Sequence, residues 1–284
     1  AYCRDQNYEL RGIGIPKSVE NDLFGTDHSP GYASAARTNI LNVMQAGILA
    51  RDMQRHNKFV IYQTTGRDTG WLAAATAMAR KEEDDAPHLI YTPEFVFDDE
   101  KFLTDVEKCI KNYGWVSVVC GEGLKYADGT SVGVSETKDK FNNIESGAMR
   151  GTSLGISLHR MIAGKFGYRG EFQITESLIM SDFVRASQTD LEEAYLCGVE
   201  AVKLANKGET GFMVSIDRMS DEPYIIRFGK IPLKEVAIAA KPMSEDYFNE
   251  ERNNVSEDFM EYVRPLIGDL PEFTRLEKKM IKIR

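Results

Sequence analysis

Residues 14–23 read Gly14-Ile15-Pro16-Lys17-Ser18-Val19-Glu20-Asn21-Asp22-Leu23 and directly follow a short apolar run. They place a lysine, a hydroxyl group and two carboxylates within six residues. The proline fixes its own φ and the Asn-Asp pair favours a turn, which is typical of a loop at the carboxyl end of a strand. In open α/β sheets, ligands bind at that edge. The alternative interpretation is a charged loop that contacts only solvent, and the spacing alone leaves both open.

Length and composition indicate a soluble globular protein. The chain has 284 residues, which is enough for one large domain or two ordinary ones, and 42% of them are apolar. A net charge of −9, without any block of lysine and arginine, argues against a nucleic-acid-binding surface. No apolar run approaches the length that spans a bilayer, and no signal-peptide pattern opens the chain. We therefore expect no nucleic-acid or membrane partner and a cytoplasmic location.

The cysteines and histidines show no metal-binding spacing. The cysteines lie far apart without a CxxC motif, which predicts reduced thiols and neither a disulfide framework nor a zinc site. The histidines are scattered, and we assign none of them a metal. The chain opens without a methionine, inside an amphipathic helical pattern, so we expect a fragment or a chain that begins after an unobserved segment. These residues are Cys3, Cys109, Cys120, Cys197, His28, His56, His88 and His159.

Strand and helix patterns alternate through most of the chain. Such alternation is typical of parallel sheets covered by helices on both faces, and it predicts two α/β lobes with short crossovers. A polar surface excursion is predicted at 125–143, and a charged, partly helical tail closes the chain. The predicted strands are 10–16, 58–63, 88–92, 115–120, 172–174, 212–216 and 224–228. The predicted helices are 33–49, 71–81, 99–113, 154–162 and 189–206.

Two further loops follow predicted strands. The first, residues 64–70, carries glycines, threonines and Arg67 between a strand and an Ala-rich helix. Backbone N–H groups at such a junction suit a phosphate, and the guanidinium adds a bidentate donor. The second, Gly121-Glu122-Gly123, sets a carboxylate between glycines that let a ligand approach, which suits a sugar hydroxyl. An ordinary βα connection and a solvated loop stay open as alternatives.

Segments spread along the chain resemble the phosphofructokinase family. Residues 15–22 resemble its P-K-T-I-D-N-D loop, and residues 65–72 resemble its M-G-R-x-x-G-W-L segment. Residues 121–123 resemble its S-E-G, and residues 186–190 match the A-S-x-T-D that starts a helix. The segments keep the family's order across nearly the whole chain. Tail segments similar to the longer, pyrophosphate-dependent branch are 242–243, 248–251 and 262–268.

The resemblance implies two Rossmann-like three-layer α/β/α lobes of the phosphofructokinase type, with mainly parallel sheets. A phosphate-donor-side lobe, without its N-terminal part, takes residues 1–30 and 176–240. A sugar-phosphate-side lobe takes residues 31–175, and residues 241–284 form a docked C-terminal tail. A homodimer or homotetramer is implied as well, because Lys58 falls where the family has an arginine that reaches a neighbouring subunit's substrate.

The resemblance also implies a glycolytic phosphotransferase. Such an enzyme moves a phosphoryl group from pyrophosphate or ATP to the 1-hydroxyl of fructose 6-phosphate. The chemistry needs a group that takes the hydroxyl proton and cations that neutralise the moving phosphoryl group. Mg²⁺ is the implied cofactor, and no ligand for it is expected in this chain, because the family's G-G-D segment with the metal-binding aspartate lies upstream of residue 1.

The family's motifs imply roles for single residues. Glu20 stands at the position of the catalytic base, with Asp22 as its partner. Lys17 occupies the position that goes with pyrophosphate use, which some ATP-using members share. Ser18 replaces a threonine that touches the phosphates and the sugar. The other implied site residues are Thr65, Gly66, Arg67, Glu122 and Lys58, of which Arg67 stabilises the charge in transfer.

Three positions depart from the family. Glu20 replaces an aspartate, and its extra methylene moves the carboxylate by about 1 Å, which can cost roughly 100-fold in rate. Thr65 replaces the methionine of M-G-R. Met180 falls where the family has an arginine that grips the sugar phosphate, so Arg169 or Arg185 is the candidate replacement. Two alternatives stay open: a catalytically degenerate regulatory subunit, and a family kinase that acts on a different sugar.

Overall fold

The structure is a computed structural model, which describes residues 2–133, 153–236 and 238–273. Within those ranges the chain forms seven β-strands and eight α-helices. The strands are β1 Ile13–Gly14, β2 Phe59–Thr64, β3 Leu89–Tyr91, β4 Val116–Gly121, β5 Gly170–Ile174, β6 Phe212–Asp221 and β7 Tyr224–Pro232. The helices are α1 Tyr2–Asp5, α2 Tyr32–Asp52, α3 Trp71–Ala75, α4 Asp99–Tyr113, α5 Leu154–Phe166, α6 Gln188–Asn206, α7 Leu233–Val236 and α8 Glu257–Ile267.

A four-stranded sheet has the order β3-β4-β2-β5, and all of its strands are parallel. The two central strands, β2 and β4, are buried at every residue. Val60 and Tyr62 pack into a core with α2 and α3, while Phe59 and Ile61 pack into a second core with α4 and α5. Helices therefore cover both faces, as expected for continuous apolar strands in a parallel sheet.

A second sheet of three strands has the order β1-β6-β7. β1 is parallel to β6, and β6 and β7 form an antiparallel hairpin. The strand predicted at 10–16 is shorter than expected, since only the two residues of β1 pair. The N–H of Gly12 donates to the side chain of Thr210, and Pro16 has no N–H to give to a ladder. The chain therefore leaves the sheet early and enters the charged loop.

Capping groups set the ends of α4, which matches its predicted range of 99–113. The side chain of Asp98 accepts a hydrogen bond from the N–H of Lys101 at the start of the helix. Gly114 ends the helix in the left-handed region, with a φ of 84°. Both signals are local, so the sequence pattern located this helix correctly.

The helix predicted at 71–81 is shorter in the structure. α3 ends at Ala75, and a 3-10 helix continues only to Ala79. The hydroxyl of Thr76 donates to the carbonyl of Ala73 at 2.6 Å, so it competes for a helical acceptor at the point where the helix tightens. The chain then reaches β3 through an exposed acidic turn.

The tail packs against the start of α3. Trp71 lies in an aromatic cluster with Tyr247, Phe259 and Tyr262, at ring-centroid distances of 6.0, 6.1 and 5.5 Å.

No helix in the described ranges is both long and apolar enough to cross a membrane. The lobe boundaries given above stay a prediction. Residues 134–143 of the predicted excursion and the last part of the tail, 274–284, lie outside the described residues.

Candidate active site

The charged loop after β1 is held in a tight turn by its own polar groups. Ser18 Oγ donates a hydrogen bond of 2.5 Å to Oδ1 of Asp22 and accepts the N–H of Glu20 at 3.2 Å. Asn21 is fully buried and has a φ of 56°, a left-handed conformation that asparagine tolerates. The buried asparagine anchors the loop, while its neighbours Glu20 and Asp22 stay half-buried. Both carboxylates therefore keep access to a ligand.

Two cationic side chains lie at this site, Lys17 in the charged loop and Arg67 in the loop after β2. The side chains of Lys17 and Arg67 are exposed. In the part of the chain that the structure describes, neither forms a hydrogen bond or an ion pair. Both charges are therefore available to an anionic ligand, as expected where phosphate is bound.

The Gly-rich turn after β2, residues 64–70, contacts both the charged loop and the loop after β4. Gly66 has a φ of 120°, and a Cβ at this position would lie 2.6 Å from the carbonyl oxygen of Thr69. A Cβ at Gly123 would overlap the carbonyl group of Arg67, so only glycine lets these two loops meet. The hydroxyl of Thr69 donates to the carbonyl of Glu20 at 3.3 Å. Three loops from β1, β2 and β4 thus form one site.

The electrostatics of Glu20 show which charges gather there. Burial is the first cause that raises the pKa of its carboxyl, and the negative charges of Asp22 and Glu122 raise it further. Arg67 opposes this shift, and Asp68 adds to it. A raised pKa makes a carboxylate a stronger proton acceptor. The carboxylate of Glu20 is therefore a stronger proton acceptor than that of an exposed glutamate.

Buried polar atoms at this edge of the sheet have unused hydrogen-bonding capacity. Thr65 Oγ1, Thr92 Oγ1 and Glu94 Oε2 are buried without a hydrogen-bond partner among the described residues. The other oxygen of Glu94 accepts the N–H of Gly70 at 2.8 Å. Because buried polar groups are almost always satisfied, bound ligand or water is expected beside them. Sequence reasoning assigned no role to Thr92 or Glu94.

Lys58 and Arg169 lie away from these loops. Lys58 precedes β2 and Arg169 precedes β5, so both stand at the amino ends of their strands. The N–H of Lys58 donates to the carbonyl of Arg169 at 2.7 Å, and its Nζ donates to the carbonyl of Gly114 at 3.2 Å. The six residues of β2 separate this edge from Gly66 by about 20 Å. The role of Lys58 at a neighbouring subunit's substrate and that of Arg169 as a replacement for the arginine missing at position 180 both stay predictions.

The segment between β5 and α6 carries no arginine at the expected place. Met180 ends a 3-10 helix and is 54% exposed. Arg185 donates to Oδ1 of Asn42 at 2.6 Å and lies 3.6 Å from a carboxylate oxygen of Asp182. The guanidinium of Arg185 is thus already engaged within the chain. A role of Arg169 or Arg185 at the sugar phosphate stays a prediction.

A buried ionic network behind the charged loop was missed by sequence reasoning. His28 Nδ1 lies 2.7 Å from Asp27, and Nε2 lies 2.5 Å from Glu193. Burial opposes a charge on His28, but hydrogen bonds to both carboxylates outweigh it and raise the pKa of the imidazole. Arg218 lies 3.1 Å from Asp27, and the hydroxyl of Tyr224 donates to Glu193 at 2.6 Å. The residues of this network are distant in sequence. Only the adjacent pair Asp27-His28 gave a local signal.

Fold and site together define a class: an α/β protein whose charged loops gather at the carboxyl ends of strands. The chain belongs to the phosphofructokinase family, because residues 3–202 match it. The resemblance seen in the motifs, including that to the pyrophosphate-dependent branch, is confirmed. So is the predicted α/β fold with mainly parallel sheets.

Relatives at about one-third identity cover almost all of the chain. A pyrophosphate--fructose 6-phosphate 1-phosphotransferase from Halomonas elongata is 35% identical over 279 residues, which are 97% of this chain and 65% of that protein. A sulfofructose kinase from Alkalicoccus urumqiensis is 30% identical over 267 residues, 90% of this chain and 64% of that protein. The crystal structure of a pyrophosphate-dependent phosphofructokinase from Marinobacter aquaeolei is 30% identical, with a TM-score of 0.81 over 98% of this chain and 65% of that chain. The chain thus spans about two thirds of the length of these relatives.

Proposed function

We propose that this chain carries the base and the sugar-binding loops of a glycolytic phosphotransferase that acts on fructose 6-phosphate. Pyrophosphate is the proposed phosphoryl donor, with ATP as the other option. The observation that carries the proposal is the gathering of Glu20, Asp22, Arg67 and Glu122 at the ends of three strands, where Glu20 has a raised pKa. The name of the relative from Halomonas elongata supports the choice of substrate and donor.

The residues of the site divide the reaction between them. The carboxylate of Glu20 takes the proton of the sugar's 1-hydroxyl, whose oxygen then forms a bond to phosphorus. The bond between phosphorus and the bridging oxygen of the donor breaks, and the donor leaves as phosphate. Lys17 and Arg67 neutralise the phosphoryl oxygens, and Glu122 accepts a hydrogen bond from a sugar hydroxyl. Almost all of this work is positioning and electrostatics.

Mg²⁺ is proposed as the accompanying cofactor, and the described residues offer no complete site for it. Among them there is no group of three or more histidine, cysteine, aspartate or glutamate side chains that could hold a metal ion. The described residues therefore do not by themselves fit a resident metal. Omission of Mg²⁺ from the assay tests the requirement directly.

An assay of the purified full-length protein tests the proposed function. Pyrophosphate and ATP are offered as donors, in Mg²⁺, against a panel of phosphorylated, sulfonated and free sugars. Turnover of fructose 6-phosphate with pyrophosphate is expected. No turnover with any pair of substrates would contradict the enzyme proposal and leave the degenerate regulatory subunit as the better account.

A kinase for a different sugar is the second candidate. The observation that favours it is the exposed thioether of Met180 at the position where an arginine grips the sugar phosphate in the family. An apolar side chain supplies no charge to a dianion, and one 30% identical relative is named a sulfofructose kinase. Turnover of a sulfonated or free sugar, with none of fructose 6-phosphate, supports this candidate against the first.

A cytoplasmic homodimer or homotetramer is part of the proposal. The place of Lys58 at the far edge of the sheet is consistent with a contact to a neighbouring subunit's substrate. Mixing two weakened variants, Glu20→Gln and Lys58→Ala, after dissociation and reassociation tests this. Mixed assemblies contain some intact sites if sites are shared between subunits, so activity rises above that of either variant. No recovery contradicts a shared site.

A further inference from the structure

Lys241 lies between two loops of the candidate site, although it belongs to the tail. Its backbone N–H donates to the carbonyl of Asp22 at 2.7 Å, and its carbonyl accepts the indole N–H of Trp71 at 3.0 Å. Asp22 is in the charged loop, and Trp71 begins α3 directly after the Gly-rich turn. One residue therefore connects both loops through its backbone.

The side chain of Lys241 reaches the buried side of the charged loop. Its Nζ donates to Oδ1 of Asn21 at 3.3 Å, to the carbonyl of Thr26 at 3.2 Å and to the carbonyl of Asp27 at 2.5 Å. Three acceptors use all three donors of the ammonium group. The same Nζ lies 4.8 Å from the ring centroid of Trp71, within range of a cation–π interaction. The ammonium is thus fully engaged by residues 21–27 and by the ring of Trp71.

Asn21 transmits this anchoring to the carboxylates. Its Oδ1 accepts from Lys241, and its Nδ2 donates to the hydroxyl of Tyr262 at 3.1 Å. Held on both sides, the residue cannot change its left-handed backbone without loss of buried hydrogen bonds. Glu20 and Asp22 are its direct neighbours in the chain, so their positions depend on the same contacts.

We infer that Lys241 is a positioning residue, which fixes the charged loop against the Gly-rich turn so that Glu20 faces the substrate in a productive geometry. The inference rests on the proposed function for its effect on turnover. Its effect on the loops is independent of any activity. The hydrogen bonds of Lys241 reach Asn21, Asp22 and Trp71, and none of those described goes to Glu20 or Arg67, so it acts through those three residues.

The test compares Lys241→Met, which keeps the length but removes the charge, with Lys241→Arg, which keeps the charge. Lys234→Met, at an exposed position of α7, is the matched control. Each variant of the full-length protein is checked for folding by circular dichroism. Lys241→Met is expected to lower kcat by about 100-fold with KM for the sugar substrate changed less than about threefold, because misplacement of a base by about 1 Å costs that much. Lys241→Arg is expected to recover part of kcat.

Hydrogen exchange measured by mass spectrometry reports how firmly the two loops are held, and it does not depend on turnover. Peptides that cover residues 17–27 and 64–72 are expected to exchange faster in Lys241→Met than in the parent, while other peptides and the Lys234→Met control do not change. A parent without turnover refutes the proposed function, and the exchange result still decides the inference. Unchanged exchange in both peptides, or an unchanged kcat in an active protein, overturns it. If Lys241→Met does not fold, the same two measurements on Lys241→Arg decide.

Discussion

Ser18 donates a hydrogen bond of 2.5 Å to the carboxylate of Asp22, and this contact spans the turn between the two residues in the charged loop. The same hydroxyl accepts the N–H of Glu20. A hydroxyl has one donor, and here the carboxylate uses it, so Ser18 has only acceptor capacity left for a ligand. In this state it orients Asp22 and does not donate to a phosphate oxygen.

Removal of the Ser18 hydroxyl is therefore expected to impair the site without loss of the fold. A hydrogen bond to a charged group is worth about 1.5–3 kcal/mol, so Ser18→Ala should lower kcat/KM by about 10- to 100-fold. Ser18→Thr keeps the hydroxyl and serves as the control, with activity within about threefold of the parent. Steady-state kinetics give the comparison, and equal losses in both variants would refute the role of this bond.

Glu20→Gln is expected to stabilise the folded protein at neutral pH. The pKa of Glu20 is higher in the folded state than in the unfolded state, so the folded state binds the proton more tightly. The free energy of unfolding therefore falls as pH rises from the unfolded-state pKa through the folded-state pKa. Glutamine lacks the charge and avoids this loss. Thermal unfolding between pH 3 and pH 8 should show a higher Tm for Glu20→Gln at pH 7 and no difference at the acid end of the range, below the ordinary pKa of 4.5.

Glu250→Gln, at an exposed position in the tail, is the matched control for this stability effect. It removes the same charge from the protein's net balance without touching the site, and its Tm should follow the parent at every pH. A Tm gain of the same size in both variants would show that net charge, and not the environment of Glu20, is responsible.

The position of the charged loop at the carboxyl end of β1 was predictable from the sequence. Parallel strands bring their carboxyl ends to one edge of a sheet, and this loop directly follows an apolar strand pattern. The ends of α4 were also predictable, since Asp98 and Gly114 act within one turn of the helix. The bond from His28 to Glu193 joins residues 165 positions apart. No local pattern carries such a contact, because only the packing of α6 against the loop creates it.

Gly123→Ala is expected to separate the loops of the site. The added Cβ overlaps the carbonyl of Arg67, and backbone atoms cannot swing aside as a flexible side chain can. Displacement of Arg67 by about 1 Å should cost roughly 100-fold in kcat. Gly164→Ala is the matched control, because a Cβ there meets nothing within 4 Å inside α5.

The control should leave kcat unchanged and raise stability by up to about 1 kcal/mol, since alanine is the better helix former. Kinetics and chemical denaturation measured on both variants decide the matter. A Gly123→Ala protein with the parent's kcat would contradict the close contact between the two loops.

Trp71 should report the protonation of Lys241. Burial lowers the pKa of that ammonium to about 8, against the opposing charges of Asp27 and Asp22 and with a further lowering by Arg218. As pH rises through about 8, the amine loses its proton and the cation beside the indole disappears. The facing phenol of Tyr262 does not titrate in this range, because burial raises its pKa well above the usual value.

Emission of Trp71, recorded between pH 6.5 and 9.5 in a Trp115→Phe background, should shift with a midpoint near 8. Lys241→Met should abolish that transition, and Lys234→Met should retain it. A transition that persists without the Lys241 ammonium would assign it to another group and contradict the account.

The central claim is that Glu20 takes the proton from the sugar hydroxyl. The most direct measurement is kcat of the full-length protein and of Glu20→Gln, with pyrophosphate and fructose 6-phosphate at saturation. Loss of a general base costs about 100- to 10,000-fold, so the account predicts a fall of that size with little change in KM. A Glu20→Gln enzyme that turns over at the parent's rate would contradict it.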